Sequence, residues 1–516
     1  MEYPFSVRWF SNLFLTTGFL SSNWNASVSE SRCLGLKSSL RLENTTILDA
    51  SYYPDSANVT ALGSCQTTAM VTVPLCRVQF LTNTSDSSAI QAEAWLPDEW
   101  YGRFMGLGNR GLGGCIAYDE LDYGSSLHFA TVASNNGHDG DSALRFLDNP
   151  EVLNDFAYRA IHVETVIGKQ IVKAYYGRPH HKSYYLGCST GGRQGTQAAL
   201  KFPNDFDGII AGAPATDFIH LLHWTGMLAR YVGAPNFASS PSYISPASWK
   251  IIADEVLKQC DALDGVLDGI ITEPDACEFR PEALLCRQNA IRDCLTQPQV
   301  EALRKIYSPL YEGGKLLYPR YDPGAEGSPL ISFLFSGNFP PYTEQWLKYV
   351  VLNATEYDIS DYGPKEGILL DQVDAGGIST FSGDFSAFRD TGGKFLTYHG
   401  RGDPVIVSGS SKRLYNLISR NLSMPTLDSF YRLFLVPGMD HCAGGPGASN
   451  FGQLPGTNRL NSSSHNIVLA MVDWVEGGVE PGAIIGLSSG GTSRVHCRYP
   501  MRSQWDGLSF RCEGKA

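Results

Sequence analysis

Between residues 86 and 212 short strand-like runs alternate with longer stretches of helical periodicity. "RFMGLGNRGLGG" and "DGIIAGAPA" are of the first kind, and "EVLNDFAYRAIHVETVIGKQIVKAYYG" between them is of the second. Strand, helix and strand in this succession predict a parallel sheet with crossover helices. From about residue 213 to 392 the pattern changes to aromatic clusters, four closely spaced cysteines, proline-rich turns such as "YPRYDPGAEGSP" and helices such as "TQPQVEALRKIYSPLY". Sheet-forming runs return with "GGKFLTYHG" and "YRLFLVPG", followed by the helical "SSSHNIVLAMVDWVEGG". The expected layout is a core of residues 23–212 and 393–516, split by an insertion at 213–392, with a candidate signal segment at 1–22.

Composition narrows the setting. A chain of 516 residues with 43% hydrophobic content can bury a large core. Its 40 Lys and Arg against 52 Asp and Glu give a net charge of −12, which offers no attraction for nucleic acid or anionic lipid. No uninterrupted apolar run of membrane-spanning length follows the N-terminus, so no membrane span is expected. The twelve cysteines are even in number and include no CxxC pair, which argues against a thiolate metal site. Seven N-x-S/T sequons, at Asn25, Asn44, Asn58, Asn83, Asn353, Asn421 and Asn461, join them in pointing to a disulfide-bonded, glycosylated, secreted protein. The first 22 residues carry one arginine and an interrupted apolar stretch, a poor signal peptide.

"KSYYLGCSTGGRQGTQAAL" places Ser189 between a β-rich run and a helix, flanked by Gly187 and Gly191. This is the G-x-S-x-G nucleophile elbow, whose tight turn holds the serine oxygen above the sheet edge. A serine needs a base and the base an orienting acid, which in α/β-hydrolases follow in the order Ser, acid, His. Of eleven histidines only His399, His441, His465 and His496 lie beyond the insertion. His441, on a loop leaving "LFLVPGMD", is the candidate base. His465 and His496 read as packing or surface residues. Asp403, after "KFLTYHGRG", is the candidate acid; Asp440 adjoins the histidine too closely, and Asp384 and Asp390 precede the strand. The bland reading of Asp403 is a turn aspartate before Pro404.

Cys188 precedes Ser189 and Cys442 follows His441. If serine and histidine meet, their neighbours reach disulfide distance, so the two cysteines are expected to be joined. The oxyanion site should combine the N–H of Thr190 with one from the glycine-rich "GLGNRGLGGC", where Gly111 is chosen; no G-K-[ST] follows to make that segment a phosphate loop. "CDALDGVLDGII" gathers Asp261, Asp264 and Asp268, with Gly265 and Gly269 between them and Cys260 and Cys277 on either side. Three carboxylates with turn carbonyls suit Ca²⁺, against the alternative of a solvated acidic loop. No organic cofactor is expected. Phe218, Trp224 and Tyr231 of the insertion are candidates for an aryl pocket, although aromatics at such spacing are more often core.

"GCSTGGRQG", "GRGDPVI", "GMDHCAGG", "DFAYRAIH", "DGIIAGAPA" and "YPRYDPGAE" resemble the tannase and feruloyl esterase family from about residue 33 to the C-terminus. The resemblance implies an α/β-hydrolase core, a lid domain inserted after "AGAPA", and the triad Ser189, Asp403, His441. It implies a lid calcium held by the side chains of Asp261, Asp264 and Asp268 and the carbonyls of Val266 and Ile270. It repeats the Cys188–Cys442 bridge. It also implies pairings that spacing alone leaves open: Cys33 with Cys76, Cys65 with Cys115, Cys260 with Cys277, Cys286 with Cys294, and Cys497 with Cys512. Arg110 departs from the family's glycine-rich run. The implied activity is hydrolysis of aromatic esters through an acyl-enzyme, on feruloyl or other hydroxycinnamoyl groups of plant polysaccharide, with galloyl esters as the alternative. An inactive, calcium-binding secreted glycoprotein is the reading of another class.

Overall fold

The computed structural model describes residues 26–287, 293–457 and 460–514. The candidate signal segment at 1–22 and the sequon at Asn25 lie outside the described residues.

Nine strands form one sheet: β1 (Thr45–Tyr53), β2 (Leu75–Asn83), β3 (Ala89–Pro97), β4 (Arg103–Leu107), β5 (Phe129–Ser134), β6 (Lys182–Cys188), β7 (Gly208–Gly212), β8 (Lys394–Gly400) and β9 (Tyr431–Val436). Their order is β1-β2-β3-β5-β4-β6-β7-β8-β9. The first three join antiparallel, and β3 meets β5 antiparallel. From β5 to β9 every neighbour is parallel. This is the α/β-hydrolase arrangement, as expected. The parallel strands are buried almost throughout, β7 at every residue, which is why they read as continuous apolar runs. The edge strand β1 is mostly half-exposed, and its alternation carries little apolar signal.

The crossover helices follow from amphipathic faces and defined ends. Ala160–Tyr176 buries Ile161, Ile167, Ile171 and Tyr175 and stops at Gly177, whose φ of 70° suits a residue without Cβ. The preceding segment does not continue this helix in register: Asp155–Arg159 forms a π turn. The fully buried Arg193 donates from its guanidinium to the carbonyls of Ala157 (2.8 Å) and Phe156 (3.1 Å) there. Ile467–Gly477 is capped by Asn466, whose side chain accepts from the N–H groups of Val468 and Leu469.

Among the described residues, those between β7 and β8 add no strand to the nine-stranded sheet. They form helices, among them Phe218–Tyr231, Pro246–Cys260 and Gln297–Ile306, and a ribbon of Leu310–Glu312 with Lys315–Tyr318. Their apolar cluster, built on Trp224, Trp249, Tyr321 and Trp346, is continuous with Leu112, Phe146 and Phe156 of the core. The insertion is therefore seated on the sheet's carboxyl end by hydrophobic burial.

Five disulfides tie segments outside the strand ends that carry the candidate triad, and all join the partners that the family resemblance implies. Cys33, on the first described helix, Ala26–Ser39, is bonded to Cys76 of β2 and pins that helix to the sheet. Cys65 is bonded to Cys115 and fastens the segment before β2 to the glycine-rich loop after β4. Within the insertion Cys260 is bonded to Cys277 and Cys286 to Cys294. Near the C-terminus Cys497 is bonded to Cys512.

Candidate active site

The carboxyl ends of β6, β8 and β9 converge on one place. At the end of β6 the chain turns sharply into helix Thr190–Lys201, and Ser189 sits in the turn with φ 65° and ψ −119°. Its N–H donates to Gly212 O at 2.9 Å, and its carbonyl accepts from Arg193 N at 3.0 Å and Ala215 N at 3.2 Å. The backbone crowds itself here: a Cβ on Gly187 would stand 2.7 Å from the Gly191 carbonyl. Glycine at the flanks is thus a steric requirement of the turn.

Asp403 lies on the loop after β8, fully buried. Its Oδ1 accepts from the N–H groups of Val405 (2.8 Å) and Ile406 (2.9 Å), and its Oδ2 lies 2.7 Å from His441 Nδ1. Burial opposes ionisation of this carboxyl, but the charge on His441 and hydrogen bonds from His399 and His441 outweigh it and hold the group well below the usual carboxylate range. His441 follows β9 and is only slightly exposed at its side chain. The acid and histidine loops are laced together by Arg401 N to Val436 O (2.8 Å) and Gly402 N to Met439 O (2.9 Å).

Cys188 and Cys442 are bonded, with Cα atoms 6.0 Å apart across 254 positions of sequence. The bridge fixes the residue before Ser189 to the residue after His441. No described cysteine is free.

Thr190, first residue of its helix, donates its hydroxyl to Gly111 O at 2.5 Å and so ties the glycine-rich loop to the elbow. In that loop Gly108 N is satisfied by Leu186 O, Asn109 N by Gln194, Leu112 N by Asp141 and Gly114 N by Gly140 O. The N–H groups of Arg110, Gly111 and Gly113 have no such protein acceptor among the described residues. Arg110 turns its side chain away to pair with Glu120. Tyr342 of the insertion donates its hydroxyl to Asp141, whose other oxygen holds Leu112 N, a contact across 201 positions that no local pattern announces.

The remaining candidates go elsewhere. His399 is buried behind Asp403. His496 is buried against Ala448 O, and His465 is partnered by Ser462 and Ser464. Asp440 accepts from Ser328 of the insertion, and burial pushes its carboxyl up to about 6. Asp384 caps Ser386, and Asp390 pairs with Arg389. Phe218 and Trp224 are 4% and 1% exposed, packed on Trp346 and Tyr318 in the insertion's interior. Tyr231 is half-buried beside Lys305.

In the 260–277 loop, Asp261 accepts from Gly269 N and Ile270 N, Asp264 from Val266 N and Thr272, and Asp268 from Ile270 N. Among the described residues no three acidic, imidazole or thiol side chains converge on one point. Arg494 approaches Asp264 at 4.0 Å and Asp268 at 3.9 Å.

This sheet, with an elbow serine after β6 and a contacting acid and histidine after β8 and β9, defines the class of α/β-hydrolases. A family profile described as tannase and feruloyl esterase matches residues 76–360 and 371–513. The chain belongs to that family and is a carboxylic ester hydrolase. It is 40% identical to a probable feruloyl esterase B-1 of Neosartorya fischeri over 97% of both chains. It is 45% identical to a probable feruloyl esterase B-2 of Aspergillus flavus, over 84% of this chain and 85% of that one. The crystal structure of feruloyl esterase B from Aspergillus oryzae superposes with a TM-score of 0.90 at 40% identity, covering 94% of this chain and all of that one. Tannin acyl hydrolase from Aspergillus niger shares the fold, with a TM-score of 0.73 at 20% identity over 95% of each chain.

Proposed function

We propose that the protein is a secreted feruloyl esterase that cleaves hydroxycinnamoyl esters, such as feruloyl groups on plant cell-wall polysaccharide, through an acyl-enzyme on Ser189. The observation that carries this reading is the His441–Asp403 contact of 2.7 Å, held beside the elbow by the Cys188–Cys442 bridge. His441 takes the hydroxyl proton as Ser189 attacks the ester carbonyl, and Asp403 keeps the imidazole in its tautomer and stabilises the imidazolium. The N–H of Thr190 and that of Gly111 stabilise the oxyanion, a contribution of about 10²- to 10³-fold in rate per donor. The alcohol leaves with the proton from His441, and water then cleaves the acyl-enzyme by the same route in reverse.

Hydroxycinnamoyl rather than galloyl esters are favoured because relatives named feruloyl esterase B match at 40% to 45% identity and the tannin acyl hydrolase at 20%. In this reading residues 23–212 and 393–516 form the catalytic domain and 213–392 a lid. Secretion is supported by six disulfides and by exposure of the sequons at Asn44, Asn58, Asn83, Asn353, Asn421 and Asn461. A fluorophosphonate probe should label the wild type and not Ser189→Ala, and methyl ferulate should be turned over faster than methyl gallate. A wild type that stays unlabelled is the inactive binding glycoprotein instead, and a preference for gallate selects the tannase reading.

The loop at 260–277 is proposed to hold a structural Ca²⁺ through the side chains of Asp261, Asp264 and Asp268 and the carbonyls of Val266 and Ile270. What supports this is the donor chemistry: Asp261, Asp264 and Asp268 offer hard oxygens on a loop curled by Gly265 and Gly269 at φ 89° and 76°. Burial first, then the charges of Asp264 and Asp261, push the Asp268 carboxyl up against the pull of Arg494 and the Ile270 N–H. Chelation should strip the metal and lower Tm by several degrees, as expected for a ligand bound only by the folded state. Unchanged metal content and Tm would rule the site out.

A further inference from the structure

His399 stands one residue short of the β8 terminus, four positions before Asp403, with both side chains fully buried. Its Nε2 lies 2.6 Å from Ile406 O and 3.4 Å from Asp403 Oδ2, two acceptors and no donor. That nitrogen therefore carries the proton. Its Nδ1 lies 2.7 Å from the hydroxyl of Ser411, which donates to it and so fixes this tautomer. The acid turn is thereby held from both ends: Ile406 gives its N–H to Asp403 and its carbonyl to His399.

We infer that His399 is a positioning residue for the catalytic acid, a second imidazole that locks the 403–406 turn and aims the Asp403 carboxylate at His441. The inference rests on the esterase reading above. Asp403 is also faced by Asp440 from the loop after β9 and by Tyr318 and Tyr321 from the insertion. Among the side chains of the described residues, His441 donates to it at 2.7 Å and the His399 Nε2 proton stands beside its Oδ2 at 3.4 Å. His399 thus shares the negative charge of Asp403 with the base, giving up some of the pull on His441 for a fixed direction. This exchange separates a positioning role from mere core packing. Losing the imidazole should slow the chemical step, yet leave Asp403 with more charge to stabilise protonated His441.

The experiment measures kcat, KM, the pH profile of kcat/KM and Tm for His399→Ala, His399→Gln and Ser411→Ala on methyl ferulate. A misaimed group costs up to about 100-fold, so His399→Ala should lower kcat about 10- to 100-fold with KM nearly unchanged. The acidic limb of its profile should move to higher pH. His399→Gln, whose amide reaches the Ile406 carbonyl, should recover most of the loss. Ser411→Ala, which frees the tautomer, should lose a smaller factor in kcat. The inference is overturned if folded His399→Ala keeps wild-type kcat, or if Ala and Gln lose activity alike with the acidic limb unmoved. Should His399→Ala not fold, wild-type kcat and an unmoved limb in Ser411→Ala overturn it equally. Ser189-dependent fluorophosphonate labelling of the wild type, run alongside, distinguishes failure of this inference from failure of the esterase reading.

Discussion

Ser189 stands at φ 65°, a conformation that costs a residue bearing a Cβ about 1 to 3 kcal/mol. Backbone hydrogen bonds to Gly212 and from Arg193 and Ala215 impose it, so the strain is maintained by the fold and not by the hydroxyl. Ser189→Ala should therefore fold with an unchanged Tm while losing about 10⁴- to 10⁶-fold in kcat, the range for a removed nucleophile. Measured Tm and kcat together check both halves. Its place at the strand-to-helix turn was legible because glycine, strand and helix all constrain the same few positions. His399 was not: a histidine four residues before an aspartate has no local signature, and only burial shows both its nitrogens engaged.

At the scale of elements, the strands β6, β8 and β9 deliver their loops to one edge of the sheet, and the apolar runs that form them are plain in the chain. The edge strand β1 was less so, since a half-exposed antiparallel strand alternates without a strong apolar signal. The loop after β9 carries a pH-dependent strain. Folding raises the Asp440 carboxyl from the ordinary carboxylate range to about 6, through burial first, against the Ser328 hydroxyl and with the charge of Asp403. The folded state holds this proton more tightly than the unfolded chain, so the stabilisation is complete below about pH 4 and is lost as pH rises through about 6. Asp440→Asn, which cannot ionise, should have a flatter Tm between pH 4 and 7 and exceed the wild type at pH 7, as thermal melts across that range would show.

For the whole molecule, the change of pattern after residue 212 is the sequence's sign of an insertion between β7 and β8, whereas the aromatic residues within it left core and pocket readings open. Phe218 and Trp224 serve its interior, because a ring that packs a core and a ring that lines a pocket look alike in sequence. The cysteines divide in the same way. Cys188 and Cys442 could be paired from their neighbours in the triad, while the partners of Cys33, Cys65, Cys286 and Cys497 rested on family likeness, since spacing permits many connectivities. Tyr342, which reaches the glycine-rich loop through Asp141, became visible only when contacts distant along the chain were in view. The Cys188–Cys442 bridge spans 254 positions, and chain entropy assigns such a closure up to about 5 kcal/mol. Replacing both cysteines by alanine should lower Tm and reduce kcat more than it raises KM, because the base loses its anchor beside the nucleophile.

Under the proposed esterase reading, that bridge would make catalytic competence a matter of compartment. A chain held where thiols stay reduced owns every group of the triad but lacks the covalent strap that gathers them, and it acquires that strap on meeting an oxidant.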